Sequence, residues 1–297
     1  MKEISIIGLG LMGASLGAAL KKRGFEGRIT AYARREVTRR QALELGLADA
    51  VFTDPVDAVR TADLAVICVP IQTSIHLAEE IVPALKPGAV LTDVGSTKLE
   101  MLRRVGPLFE RSAAEFIGSH PVAGSEKTGL EAADPDLYQD RLTVVCPAVG
   151  NTVEGISRVT ALWEAAGSTV THSDPEAHDR LLACTSHLPH MIAAALARTV
   201  AEPDPAAKAP FCGTGFRDTT RVASGSAEMW VDIIDTNRAA LEHELSRFGD
   251  ELQRLAAILR AGNSADIRRW LEEAAAARGM LLTRKAMSAR RYDRVAD

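Results

Sequence analysis

The sequence predicts an α/β protein, with a Rossmann-like, doubly wound and mainly parallel sheet in residues 1–172 and an all-α part in residues 173–297. Three observations predict it. Short β-rich runs alternate with helical stretches through the first half of the 297-residue chain. A glycine-rich turn, "GLGLMG", joins the first apolar run to the first helical one. After about Ser173 the strand-like alternation stops and only helical periodicity remains.

The elements follow in order. "EISIIGLG" is a compact apolar strand ending in glycines, and "LMGASLGAALKKRG" has helical spacing with a glycine stop. "RITAYA" and "REVTRRQALELG" repeat the strand–helix pair, and "DLAVICVP" is a third strand closed by Pro70. "QTSIHLAEEIVPALKPG", "AVLTDVGS" and "TKLEMLRRVGPLF" continue as helix, strand and helix. "EFIGSH" and "RLTVVCPA" read as strands, then "TVEGISRVTALWEAAG" and "STVTHSD" as a last helix–strand pair. Asp174-Pro175 opens the helical half as N-cap and first helical residue. "EPDPAAKAP" is a proline-rich connection, and one or two long amphipathic helices follow from "AEMWVDIIDTN" onward.

Composition narrows the class. Hydrophobic residues at 46% can build a substantial core, and charged residues make up 25%. The net charge of −4 comes from 35 basic and 39 acidic residues mixed along the chain, so no nucleic-acid or membrane partner is expected. The clusters Arg34–Arg35, Arg39–Arg40 and "TRKAMSARRYDR" read as local, solvated exceptions. The four cysteines form no CxxC pair, which argues against a zinc knuckle or a disulfide framework. With no secretory pattern at the start and no apolar run near the ~20 residues of a membrane span, a soluble cytoplasmic protein is expected.

The glycine turn carries a cofactor prediction. Gly8, Gly10 and Gly13 stand in GxGxxG register, with Leu9, Leu11 and Met12 between them. The first glycine allows a tight turn, the second close approach of a pyrophosphate, and the third close helix–strand packing. The helix N-terminus would then hold the phosphates. An acid at the end of the second strand usually binds the ribose of NAD; here "AYARRE" offers Ala33, Arg34 and Arg35. Arginine grips a 2′-phosphate with two hydrogen bonds, so NADP is favoured. NAD is the alternative, with Arg34 stacking on the adenine.

Ligands of such sheets bind beyond the carboxyl ends of the strands. Val69 and Pro70 follow the third strand, "DVGSTK" with Ser96 and Lys98 the fourth, and "GSHPVAGSE" with Ser119, His120, Ser125 and Glu126 the next. His120 therefore falls on the cofactor edge, in a glycine-flanked loop, as a candidate for proton chemistry. The helical half adds "HDRLLACTSHLPH", with Pro189 expected to kink the helix. A metal site is not expected there, because His178 and His187 are nine residues apart and half a turn out of phase. In "GFRDTTRVAS", Arg221 either pairs with Asp218 three residues earlier or recognises a carboxylate.

Together "GLGLMGASL", "VGSTK", "GSHPVAGSE", "HDRLLACTSHLPH", "GFRDTTRVAS" and "MWVDIIDTN" resemble the prephenate/arogenate (cyclohexadienyl) dehydrogenase family, in the family's order. The resemblance implies a Rossmann-like domain joined to a helical dimerisation domain, hence a homodimer. It implies oxidative decarboxylation of prephenate or arogenate in tyrosine biosynthesis, with hydride transfer to NADP or NAD. His120 would take the ring hydroxyl proton, and Ser96 would orient His120 beside the nicotinamide. Arg221 would hold a substrate carboxylate and His187 would line the substrate pocket. Glu126 and Asp218 would stand at its mouth near Arg217, with Ser125 and the Thr214 loop as further contacts. That loop can cross the dimer in the family. The chain's end at Asp297 leaves no room for a C-terminal regulatory domain, so tyrosine feedback, if present, is expected at the active site. Two rival readings fit the residues less well. A β-hydroxyacid dehydrogenase would need a helix lysine, absent from residues 175–201. A non-catalytic dinucleotide sensor would not need His120, Ser96 and Arg221 together.

Overall fold

The computed structural model describes residues 1–124 and 127–293, with side chains described to residue 283. The chain begins β1 (Glu3–Ile7), α1 (Leu11–Lys22), β2 (Arg28–Tyr32), α2 (Glu36–Glu44), β3 (Ala50–Phe52) and α3 (Pro55–Val59). It continues β4 (Leu64–Ile67), α4 (Ile71–Ile81), β5 (Val90–Asp93), α5 (Leu99–Val105), β6 (Glu115–Phe116) and β7 (Gly118–Pro121). Then come β8 (Leu142–Cys146), α6 (Val153–Ala165) and β9 (Thr169–His172). Helices follow: α7 (Pro175–Leu182), a π-helical turn (Ala183–His187), α8 (Leu188–Ala201), α9 (Pro205–Lys208), α10 (Thr214–Thr220), α11 (Ala227–Thr236), α12 (Arg238–Ala261) and α13 (Ser264–Asp293).

Six parallel strands form one sheet in the order β3-β2-β1-β4-β5-β6, and β7-β8-β9 form a second. The period-two alternation of buried strands explains the layering. Ile4 and Ile6 of β1 and Leu64 and Val66 of β4 face a core shared with Leu16, Leu20 and Trp163. Ile7, Ala65 and Ile67 face the other core, with Ile75, Leu91 and Met101. Each fully buried Leu or Ile contributes about 1.5–3 kcal/mol relative to exposure.

Three details depart from the sequence reading. β3 and α3 were not anticipated; "AVF" is three residues long, too short to show alternation. The run "EFIGSH" is not one strand: β6 ends the parallel sheet at Phe116, and β7 turns into the second sheet antiparallel to β8. His120 consequently lies inside a strand, opposite Val144, rather than in a loop. The kink expected at Pro189 takes the form of the π turn, with Pro189 in the first turn of α8.

By compactness the chain divides into Met1–Leu241 and Glu242–Asp297. In the second unit Trp270 Nε1 donates to Glu251 Oε1 at 2.6 Å. Leu245, Leu252, Leu259 and Leu271 are exposed there. No helix among the described residues is long and apolar enough to cross a membrane.

Candidate active site

The cofactor edge starts at Gly8, whose φ of +107° suits glycine; a Cβ there would lie 2.4 Å from Val69 Cγ1. A Cβ on Gly13 would stand 2.0 Å from the Gly8 carbonyl oxygen, so α1 could not rest on β1 with any larger residue. A Cβ on Gly10 would meet nothing within 4 Å. Gly10 caps α1 without a side-chain hydrogen bond, so the first amides of this helix face open space where an anion can sit. These residues fit a dinucleotide pyrophosphate. Leu9 is buried, while Leu11 and Met12 are half-buried at the same turn.

At the end of β2, Ala33 is buried and the side chains of Arg34 and Arg35 are exposed. Arg39 Nη1 donates to the carbonyls of Ala33 (2.9 Å) and Arg34 (2.7 Å). Arg39 thus shapes the loop that presents Arg34 and is not simply solvated, as the cluster Arg39–Arg40 had suggested. Pro70 caps α4, and Ser74 Oγ donates to the carbonyls of Val69 and Pro70.

His120 is anchored through its neighbour. Ser119 Oγ donates to the Asp93 carbonyl (2.6 Å) and accepts from Trp163 Nε1 (2.9 Å), fixing β7 against β5. Lys98, 1% exposed, pairs with the Asp93 carboxylate and donates to the Ser119 carbonyl at 2.8 Å. Gly118 lets Lys98 pass, since a Cβ there would stand 3.2 Å from Lys98 Cδ. Ser96 lies on the loop between Gly95, held by Asp93 Oδ2, and Thr97, bonded to Thr236.

The imidazole of His120 reaches into the helical part. Its Nδ1 is 2.9 Å from His178 Nε2, and His178 Nδ1 is 2.7 Å from Asp179 Oδ1. Asp179 also accepts the backbone N–H groups of Lys98 (2.8 Å) and Leu99 (3.0 Å). The orienting bond expected from Ser96 is therefore made by His178; Ser96 forms no hydrogen bond among the described residues. Burial, then the nearby His178, Lys98 and His187, holds the His120 pKa well below the usual imidazole range. His120 is thereby kept neutral, the form a proton acceptor needs.

His187 belongs to the same cluster. Asn237 Nδ2 donates to the Asp179 carbonyl at 2.7 Å, which fixes its amide orientation, and lies 3.2 Å from His187 Nδ1. His187 Nδ1 must accept, so Nε2 carries the proton. That buried Nε2 has no hydrogen-bond partner among the described residues, a donor open to an acceptor on a ligand. Burial pushes the His187 pKa down to about 4. At 3.6 residues per turn His178 and His187 would fall on opposite faces; the π turn takes up an extra residue and rotates the phase by about 100°. His190, stacked on Trp230 with ring centroids 3.5 Å apart, completes the cluster and also has a buried unpartnered Nδ1. Lys98, His178, Asp179, His190, Trp230 and Asn237 were absent from the sequence-derived site. The sequence signals for Lys98, His178, Asp179 and His190 are their places in "DVGSTK" and "HDRLLACTSHLPH"; Trp230 and Asn237 are marked only by their place in "MWVDIIDTN".

The remaining candidates are less enclosed, although the turn that carries Arg221 packs on α8, where the Val222 backbone hydrogen-bonds His190. Thr214, Arg217, Asp218 and Arg221 are exposed on α10 and the turn after it. Arg221 makes no ion pair with Asp218 or any other group among the described residues, so the local-pair reading does not hold. Ser125 and Glu126 lie outside the described residues.

A dinucleotide-type glycine turn and a buried histidine at the carboxyl edge of a parallel sheet define the class: an α/β protein with a nucleotide-binding fold. Comparison with known proteins agrees. Residues 16–172 match the prephenate dehydrogenase nucleotide-binding domain, and residues 174–273 the prephenate dehydrogenase dimerization domain. A cyclohexadienyl dehydrogenase of Zymomonas mobilis is 35% identical, over 86% of this chain and 87% of the relative. The crystal structure of prephenate dehydrogenase from A. aeolicus, in complex with hydroxyphenyl propionate and NAD+, has a TM-score of 0.87 and 28% identity, covering 95% of this chain and 98% of that one. The Synechocystis arogenate dehydrogenase structure has a TM-score of 0.81 and 29% identity, covering 94% and 99%. The chain belongs to the prephenate dehydrogenase family.

Proposed function

We infer that this protein is a prephenate/arogenate (cyclohexadienyl) dehydrogenase, oxidatively decarboxylating the ring acid with a pyridine nucleotide in tyrosine biosynthesis. The observation that carries the reading is the buried, neutral His120 at the cofactor edge, within the same cluster as His187. His120 takes the proton of the ring hydroxyl as its C–O bond gains carbonyl character. A bound nicotinamide supplies the hydride acceptor at that carbon, and the ring carboxylate leaves as carbon dioxide. His187 Nε2–H offers a hydrogen bond to a substrate oxygen, and Arg221, in no ion pair among the described residues, supplies a bidentate fork for a carboxylate. Ser96 lines the site between nicotinamide and substrate, and Arg217, Asp218, Thr214, Ser125 and Glu126 surround its entrance.

NADP is the favoured nucleotide, because no acid stands at the end of β2 and the Arg34 side chain is exposed there with no ion pair among the described residues. Residues 1–172 would hold the nucleotide and 173–297 would build the substrate side and the dimer. The dimerization-domain match and the exposed leucines of α12 support a homodimer. The test is a steady-state matrix of prephenate and arogenate against NADP and NAD, followed at the reduced-nicotinamide band. Turnover with at least one ring acid, with NADP bound tighter, is expected. No turnover in any cell would favour a nucleotide sensor, and NAD tighter by about tenfold (about 1.4 kcal/mol) would reverse the cofactor assignment.

A further inference from the structure

His178 and Asp179 have no role in the reaction as described so far. Both are buried, and their hydrogen bonds form a chain that ends on the reacting histidine. The direction of the donors along that chain can be worked out from the acceptor end. The Asp179 carboxylate already takes two backbone N–H groups, at 2.8 and 3.0 Å, and both oxygens act as acceptors. The ring nitrogen 2.7 Å from Oδ1, His178 Nδ1, therefore carries a proton. In a neutral His178 the other nitrogen, Nε2, then has the lone pair. It stands 2.9 Å from His120 Nδ1, which must donate to it. His120 Nε2 is left with the free lone pair.

We propose that Asp179, acting through His178, holds His120 in the Nδ1–H tautomer, so that Nε2 is the atom that accepts the substrate hydroxyl proton. The pair are positioning residues and touch no substrate. After the transfer, the His120 imidazolium keeps its Nδ1–H bond to His178, and the Asp179 carboxylate lies one ring further on to balance the charge. The arrangement also ties catalysis to the seating of the helical part. Asp179 sits at the start of α7's last turns, yet its carboxylate is fixed by the first amides of α5, and Asn237 of the α11–α12 junction holds its carbonyl.

This inference deepens the functional reading and rests on it, but its first test does not depend on turnover. With histidines labelled by nitrogen-15, long-range nitrogen–proton correlation reads the tautomer of each ring, and His120→Asn identifies its signals. His120 protonated at Nδ1 is expected in the wild type; His120 protonated at Nε2 would overturn the proposal.

The second test is a double-mutant cycle. In Asp179→Asn the carboxylate charge is lost, and one end of the group becomes an NH2 that meets a donor: Leu99 N–H if the oxygen stays toward His178, or Lys98 N–H together with His178 Nδ1–H if it does not. Either way the His178 Nδ1–H is no longer held by an anion, and the His120 imidazolium loses its balancing charge. A fall in kcat of about 10²-fold or more is expected, a large part of what general acid–base catalysis supplies. The KM values for ring acid and nucleotide should stay within about threefold of wild type, where a merely structural role would move them as well. In a His120→Asn background the same substitution should cost nothing further, since residues acting as one unit are non-additive. Equal losses in both backgrounds would overturn the proposal. Should Asp179→Asn fail to fold, His178→Gln and His178→Leu serve in its place. Gln keeps an oxygen to accept from His120 and should lose less kcat than Leu; equal losses would contradict the assignment. A wild type that reduces no nicotinamide with either ring acid would sink the functional reading alone, leaving the tautomer result to stand or fall by itself.

Discussion

The site has two sides built on opposite plans. On one side His120, His178, Asp179, Lys98 and Ser119 are buried, and their hydrogen bonds run from one to the next. On the other, Thr214, Arg217, Asp218 and Arg221 are exposed and make no ion pair among the described residues. Under the proposed function the contrast separates two jobs. The groups proposed to handle the proton are locked by neighbours and kept from water, as a proton acceptor needs a defined tautomer and a neutral start. The groups proposed to bind charge have no ion-pair partner among the described residues, which leaves them for a ligand to satisfy.

The comparison breaks most visibly at His120. His120→Asn should lower kcat by about 10²–10⁴-fold while nucleotide affinity hardly changes. Steady-state kinetics with a nucleotide titration checks this, and a loss of affinity as large as the loss of kcat would place His120 in binding instead. The open side should respond differently. Arg221→Ala should raise the KM for the ring acid by about 10–100-fold with kcat largely kept, the worth of a charged hydrogen-bonding group lost from binding. An unchanged KM would remove Arg221 from the substrate side.

A smaller effect concerns stability in acid. Burial pushes the His187 pKa down to about 4 and lowers those of His120 and His190. Below pH 6.5 these histidines protonate in the unfolded chain while the folded ones stay neutral, so unfolding takes up protons. Stability should therefore be full above about pH 6.5 and fall as pH drops, at about 1.4 kcal/mol per pH unit for each proton taken up. The share from His187 should level off near pH 4. Denaturant melts between pH 7 and 4 test the sign, and constant stability across that range would contradict the burial of these rings.

Much of this was legible in the sequence, and the misses have physical causes. The glycine turn could be read because each glycine answers a separate steric demand, and Gly8 and Gly13 meet theirs within 2.4 Å. The place of His120 at the sheet edge followed from the rule about strand ends. Its strand did not, because a two-residue β6 and a change of sheet at Ile117 leave no periodic trace. His178 is named in the sequence only against His187, with the phase counted at 3.6 residues per turn; a π turn intervenes, and its bond to His120 is a long-range contact with no periodic trace. Arg39 looked like surface charge because carbonyl partners five and six residues back carry no sequence signature.

The central claim, that a histidine kept neutral by burial is the base, is tested most directly by kcat/KM for the ring acid against pH. A single acid limb is predicted, with its midpoint below 6.5 and a flat plateau through neutrality, and the limb should vanish in His120→Asn. A midpoint at or above 6.5, or a limb that persists unchanged in the variant, would contradict it.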